Sequence, residues 1–455
     1  MTAAKQFKNT FSAPSLTKIF VDKIQDSTAI GIDRTTPSSF LENLSSELNL
    51  IRAKVISGAY KFTAYKEKLA SKGADSLPRV LSIPTVRDRV TLRALAELLA
   101  HVFPEAVSEI PQSKIDRISV KLKSGEYAEF VKIDLHKFYP SVSHAHLRKA
   151  LRTRVRKPEI LSLIEKAITT ATIPEKKGSA GAKPNTRGVP QGLAISNILA
   201  EILLLEFDKK MAAMPGVFYE RYIDDVLILC RAGRSVTVLQ QVCDDFKKIG
   251  LQPHPPGVDG SKTKIGALSD EFDFLGYRCK DLRLSVRRQS VHKFESSLAA
   301  ICTGYRHRLF QVSSPKDAKN AADVCEWRLN LRITGCIFEN RRLGWVFYFS
   351  QITDTSALRA VDNTVQHLLQ RFSLASKITV KRVLKAFYES QRSNKTDHRY
   401  IPNFDSMSIS EKRHLLGLLT NRDVSALTDD RVETLFRQRI KDAVRELEKD
   451  LAALS

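Results

Sequence analysis

The sequence predicts a mixed α/β (α+β) chain, with an antiparallel sheet and helices up to about residue 290 and a helical remainder. Three observations predict it. Residues 128–135 (AEFVKIDL) form an apolar, β-rich run that ends in an acid, the pattern of a buried strand. Val217–Tyr222 and residues 226–230 are two β-rich runs around Asp224 and Asp225, a hairpin signal. Beyond residue 290 strand patterns give way to helical spacing.

The elements follow in order. Residues 36–60 read as one helix, with Thr36 or Ser38 as cap and Phe40, Leu44, Leu48, Ile51 and Val55 at helical spacing. Residues 61–84 alternate loosely and carry Lys66, Lys68, Lys72 and Arg79, which predicts a basic hairpin. Residues 85–103 return to helix through Val90, Leu92, Leu95, Leu98 and Leu99. A helical stretch is expected at 144–170, a Gly-, Pro-, Lys- and Thr-rich loop at 174–190, and a long apolar helix at 192–210. Residues 272–278 predict a short strand. Polar residues, Pro and Asn interrupt the helices at 376–405, and 428–452 is a charged amphipathic helix.

Length and composition bound the function. A chain of 455 residues predicts about three domains. Its 43% hydrophobic content is that of a globular protein and argues against disorder. No apolar run reaches the roughly 18 residues of a membrane span, and the first residues hold no apolar signal core. Cysteines 230, 243, 279, 302, 325 and 336 form no CxxC, which excludes a zinc ribbon or thioredoxin motif and predicts a reducing cytoplasm. Lys and Arg number 73 against 50 Asp and Glu, a formal charge of +23. Such a charge calls for an anionic partner, by default nucleic acid, although a merely basic protein is the bland reading. The charge is spread along the chain, which fits a long groove better than a terminal arm.

Three acids carry the chemistry. Asp134 closes the apolar strand, and Asp224 and Asp225 sit side by side between two others. Adjacent buried carboxylates are costly without a cation. If the strand of Asp134 lies alongside, the three suit two Mg²⁺ ions, which would activate a 3′-hydroxyl and stabilise leaving pyrophosphate. Taken alone, an Asp-Asp pair more often decorates a tight turn. An EF-hand is excluded because its Asp spacing is missing.

The wider strings narrow this choice. Tyr222-Ile223-Asp224-Asp225 resembles the YxDD box of reverse transcriptases. The run from Phe130 through Asp134 to Tyr139 resembles that family's first palm acid, and Thr186 through Gln191 and Gly192 to Ser196 its Gln-Gly…Ser motif. Phe274, Leu275 and Gly276 resemble its primer-grip strand. Arg79 through Pro84 to Arg89 resembles the fingers motif of bacterial members, and Gly31-Ile32-Asp33 their N-terminal block. The motifs stand in family order over roughly residues 30–285. One departure is that Ser196 is followed by Asn197 where the family usually has Pro, which bears on subfamily more than activity.

The resemblance implies a right-hand polymerase. Residues 1–127 would be N-terminal region and fingers, and 128–288 palm with a finger-like insertion around 144–190. A helical thumb would span 289–375 and a helical extension 376–455. It implies RNA-directed DNA synthesis from deoxynucleoside triphosphates with two Mg²⁺ ions. Asp134 and Asp224 would be metal ligands, Asp225 a shaping and less direct ligand, and the Leu135 carbonyl a further ligand. Tyr139 would exclude the 2′-hydroxyl, with either Tyr139 or Phe138 an ordinary core aromatic. Gln191 would start a helix and contact the nucleotide sugar, and Gly192 would allow close backbone approach. Arg79 and Lys72 would clamp the triphosphate, while Lys66 and Lys68 read as a solvated hairpin face. Lys262 would be the general acid at pyrophosphate, with Lys264 its competitor. The run from Arg341 to Phe349, with Trp345, could stack on bases, but a buried thumb core is the simpler reading.

Residues 329–336 resemble thumb sequence of phage-defence reverse transcriptases. No HNH-type endonuclease cluster or RNase H acid set is evident. A non-mobile bacterial enzyme copying a dedicated, structured non-coding RNA in antiviral defence is therefore expected, with a DNA product. Residues 376–455 carry no assignable motif and could bind a structured RNA, a second copy of the chain or a second defence protein; the terminal charged helix leans to a protein contact, although a solvated helix is its simpler reading. A retron enzyme, a template-independent or RNA-making nucleotidyltransferase on the same palm, and an inactive RNA-binding scaffold are the alternatives.

Overall fold

The computed structural model describes residues 3–71, 77–175, 182–258, 261–312, 314–392 and 400–449. The chain forms two compact units, residues 1–109 with 127–266, and 110–126 with 267–455.

The first unit is built on a four-stranded sheet, antiparallel where Asp225–Cys230 pairs with its two neighbours. Its strand order is Val217–Tyr222, Asp225–Cys230, Glu129–Asp134, Lys264–Ala267. Asp225–Cys230 is central, and Val226 through Cys230 are fully buried, so this strand is apolar on both faces. Helices Ser196–Ala212 and Ser235–Lys248 pack on the sheet. The predicted hairpin forms with Tyr222 opposite Asp225 and only Ile223 and Asp224 between the strands. A smaller sheet joins the basic hairpin, Tyr65–Ala70 antiparallel to Arg79–Ile83, to Thr172–Ile173.

Several expected elements are divided in the structure. The helix expected over 36–60 is two, Pro37–Glu42 and Leu44–Ile56, hinged at Asn43. Thr36, not Ser38, caps the first, its hydroxyl accepting the Ser39 N–H at 3.1 Å. The stretch 144–170 is likewise two helices, His144–Arg152 and Pro158–Thr169, because the residue before a proline disfavours helical geometry. The apolar helix starts at Ser196 rather than 192, since Gly192 has a φ of +100° that no helix accommodates. Residues 272–278 are not one strand but a hairpin, Phe272–Phe274 with Tyr277–Lys280. Leu275 and Gly276 both have positive φ and turn the chain between them, as a two-residue hairpin loop requires.

In the second unit the helices Arg288–Leu309, Pro315–Thr334, Ser356–Arg371, Val383–Ser390, Ile409–Thr420 and Asp429–Lys449 dominate. The remainder is mainly helical, as expected, with a short hairpin that the sequence did not show. Cys336–Phe338 pairs with Arg341–Leu343 across Glu339 and Asn340, which both have positive φ. The Asp405 carboxylate accepts both of their N–H groups, at 2.8 and 2.9 Å, and so holds a turn too short to announce itself by periodicity. Trp345, Phe347, Tyr348 and Phe349 are buried, with Trp345 stacked on Phe294 at 4.4 Å. They are core, not a surface on which bases could stack. Among the described residues no helix is long and apolar enough to cross a membrane.

Candidate active site

The sheet register sets the site. Asp134 ends its strand directly opposite Asp225, and Asp224 occupies the adjoining turn. The Leu135 N–H donates to the Asp224 carbonyl at 3.2 Å, tying strand end to turn, while the Leu135 side chain is buried in the core. Ile223 takes a φ of +57°. A β-branched residue in that region is strained, and such strain persists where surrounding structure over-determines it.

Arg221 supplies that determination. Its side chain, 4% exposed, donates to the Ile223 carbonyl at 2.8 Å, to Glu201 at 2.6 and 3.0 Å and to Asp208 at 2.5 and 2.9 Å. The Tyr219 hydroxyl donates to the same Asp208 at 2.6 Å. Helix Ser196–Ala212 carries both carboxylates, so the network bolts the Asp224 turn to that helix.

Like charge is concentrated here. Burial, then the charge of Asp134, raises the Asp224 carboxyl above its ordinary range. Asp225 is pushed up to about 6, by burial first; Lys132 opposes the shift and Asp134 and Asp224 add to it. Lys132 Nζ lies 3.8 Å from Asp225 Oδ1, ion-pair range but not a hydrogen bond, and that buried oxygen has no hydrogen-bond partner. Asp134 is better compensated. His254 Nε2 sits 3.2 Å from Oδ2, and Lys262 Nζ 3.4 Å from Oδ1.

Among the described residues no three His, Cys, Asp or Glu side chains are close enough to form a ready metal cage. The donor set still fits a hard divalent cation that arrives with its substrate. Mg²⁺ is usually held by one or two carboxylates plus phosphate oxygens, not by an all-protein cage. The orphaned Asp225 oxygen and the carboxylates of Asp134 and Asp224 are donors of that kind.

Around the acids the other motifs assemble. Val189 N–H donates to the Tyr139 carbonyl at 2.9 Å and Gly188 N–H to that of Val142 at 2.8 Å, so the Thr186–Ser196 stretch is laced to the turn after Asp134. Phe138 is the buried core aromatic, whereas Tyr139 is half-buried. The Tyr139 hydroxyl donates to Asn197 Oδ1 at 2.7 Å, which gives the Asn in place of Pro a structural role. Burial and the neighbouring Asp224 raise the Tyr139 phenol well above its ordinary value, so it stays protonated, and the Arg79 charge reaches both groups. The Gln191 carbonyl accepts the Ser82 N–H at 2.7 Å, while its amide Oε1 is buried without a partner. Gln191 precedes the helix by a turn instead of starting it.

A Cβ on Gly192 would lie 3.0 Å from the Ser82 carbonyl, at a φ only glycine adopts freely. Gly192→Ala is expected to lower stability by about 1–3 kcal/mol, read as a fall in urea midpoint at unchanged m-value.

Lys66 does not stay a solvated face, because it pairs with Glu175 at 2.9 Å. Lys72 falls outside the described residues. Phe274, Leu275 and Gly276 lie in the second unit, with Phe274 and Leu275 buried and the Leu275 carbonyl accepting the Tyr348 hydroxyl at 3.0 Å. Any hold on a primer there would use backbone, since the side chains face the interior.

Sequence reasoning missed Lys132, His254 and Arg221. Lys132 was legible, two residues before Asp134 and so on the same strand face. His254 had no local signal. It arrives because Leu135 bridges to Pro253 and the His254 N–H donates to the Asp134 carbonyl at 2.9 Å.

Residues 70–279 match the family described as reverse transcriptase (RNA-dependent DNA polymerase), so the chain carries a reverse transcriptase domain. Over 325 residues it is 24% identical to Protein YkfC of Escherichia coli K12, covering 60% of this chain and 83% of that protein. Among solved structures it is similar to apo telomerase from Candida tropicalis truncated from its C-terminal domain (16% identity, TM-score 0.39, 55% of this chain and 60% of that one). It is also similar to telomerase from Candida albicans in complex with a telomeric RNA fragment (12% identity, TM-score 0.43, 92% of this chain and 66% of that one). Those likenesses are remote, and the assignment rests on the sequence match. At the family level the domain is that of RNA-directed DNA polymerases, and the fold is the mixed α/β one expected.

Proposed function

We propose that this chain is a template-directed DNA polymerase that copies RNA, with Asp134 and Asp224 binding two Mg²⁺ ions. The observation that carries the reading is the register that sets Asp134 opposite Asp225 with Asp224 in the adjoining strained turn. Bound Mg²⁺ would lower the pKa of the primer 3′-hydroxyl and neutralise charge on the phosphates. The chain's own groups position the reactants, which is most of the catalysis in phosphoryl transfer. Asp225 and the Leu135 carbonyl complete the oxygen set. Arg79 and Lys72 bind the triphosphate, and the unpartnered Gln191 amide meets the nucleotide sugar beside Gly192. Lys262 leaves Asp134 to protonate the pyrophosphate. The backbone at Phe274, Leu275 and Gly276 holds the primer.

Fingers, palm, thumb and extension fall at 1–127, 128–288, 289–375 and 376–455. The resemblance at residues 329–336 supports a non-mobile enzyme of antiviral defence, and the reading extends to a structured non-coding RNA as template in the cytoplasm. The test is primer extension with purified protein. DNA synthesis on an RNA template with all four deoxynucleotides is expected, and none without template. Synthesis without template, or only from ribonucleotides, favours the other nucleotidyltransferases; none at all favours a scaffold.

Tyr139 is placed to sense the sugar, and Asn197 fixes its hydroxyl. Asn197→Ala is expected to reduce the preference for deoxy- over ribonucleotides by about tenfold, the worth of one hydrogen bond. The ratio of kcat/KM values for dGTP and GTP checks it.

A further inference from the structure

Helix His144–Arg152, the loop after it and the first half of helix Pro158–Thr169 enclose an open cavity of about 470 Å³ that Asp134, Asp224 and Asp225 do not line. Arg148, Arg152 and Arg156 line it at intervals of four residues, together with Val155 and Leu161. The charges in this stretch are unevenly compensated. Arg148 pairs with Glu165, Arg154 with Glu105 at 2.6 Å, and Lys157 with Glu159 at 2.8 Å. Arg152 and Arg156 are exposed and have no carboxylate partner among the described residues. With Glu165 the only acid in the lining, the cavity carries two uncompensated guanidinium groups.

Guanidinium groups converging on one concavity repel one another and are relieved by an anion that accepts their paired N–H donors. Phosphate does so bidentately. We propose that this cavity is a phosphate-backbone site for structured RNA, separate from the site of synthesis. Naming RNA as the occupant rests on the polymerase reading above; the phosphate chemistry does not. The two free guanidiniums would contact two phosphates of a folded segment, holding the RNA while another part of it is copied.

Arg152→Ala/Arg156→Ala tests this. Both side chains are exposed, so the fold is expected to survive, which circular dichroism checks. Fluorescence anisotropy with a labelled RNA hairpin should show about tenfold weaker binding near 0.15 M salt. The slope of log affinity against log salt should fall by about 2, one for each phosphate that the variant no longer neutralises. Extension of oligo(dT) on poly(rA), an unstructured template, should stay near wild type. Unchanged RNA affinity and slope would overturn the proposal. Weaker binding of labelled ATP without a change for the hairpin would also overturn it, as a free-nucleotide site. Failure of the wild-type protein to extend oligo(dT) would count against the polymerase reading and leave the anisotropy result to stand by itself.

Discussion

Asp224→Ala is expected to abolish primer extension, by a factor of about a thousand or more, while the protein stays folded. The loss follows from the role proposed for the carboxylate. A polymerase contributes little covalent chemistry, so removing one of two principal metal ligands removes most of the electrostatic stabilisation of the transition state. Survival of the fold follows from the charges. Burial and Asp134 raise the Asp224 carboxyl, so the metal-free fold is weakened, not held, by its ionisation. The same reasoning gives a pH dependence. Asp225 titrates near 6 in the fold against roughly 4 in an unfolded chain. The native state therefore binds more protons between those values, and metal-free stability falls as pH rises from about 4 through about 6. A cation offsets that cost only where the carboxylates are ionised. Added Mg²⁺ should raise the melting temperature more at pH 8 than at pH 5, and Asp224→Ala should lose most of the difference. Thermal unfolding with and without Mg²⁺ at both pH values reads this. A variant that still extends primers would remove Asp224 from the metal site.

The parts of this arrangement that could be read from sequence are those in which one strand or one turn carries the signal. The apolar strand before Asp134 and the paired runs around Asp224 and Asp225 are short, rich in β-formers and bounded by an acid or a turn, as buried strands are, and both formed. Breaks inside elements were less visible. Asn43, Pro158, and Leu275 with Gly276 each divide a segment whose apolar spacing continues across the break, so periodicity joins what backbone geometry separates. The three-residue strands at Cys336–Phe338 and Arg341–Leu343 are too short to show alternation. Pairings between distant segments had no signal. His254 reaches Asp134 from 120 positions away through an isolated bridge, and Arg221 finds Glu201 and Asp208 only once the helix lies on the sheet.

Arg221 gives the largest expected change in stability. Arg221→Met should destabilise the protein by about 3–5 kcal/mol, because it leaves Glu201 and Asp208 partly buried and facing each other without their cation. The cost comes from the orphaned acids more than from the broken hydrogen bonds, which a second variant separates. Arg221→Met combined with Glu201→Gln and Asp208→Asn removes the stranded charges and should recover a good part of the loss in urea titrations. Arg221→Lys keeps a charge but cannot serve two carboxylates and the Ile223 carbonyl together, since its donors radiate from one atom. It should remain folded at working temperature with the Asp224 turn less firmly held. A turn that only positions Asp224 affects the chemical step more than substrate capture, so Arg221→Lys should lower kcat by about ten- to a hundredfold with KM for deoxynucleotide nearly unchanged. Equal activity in Arg221→Lys and wild type would show that Ile223 keeps its strained conformation without help, and the network would then be a stability device alone.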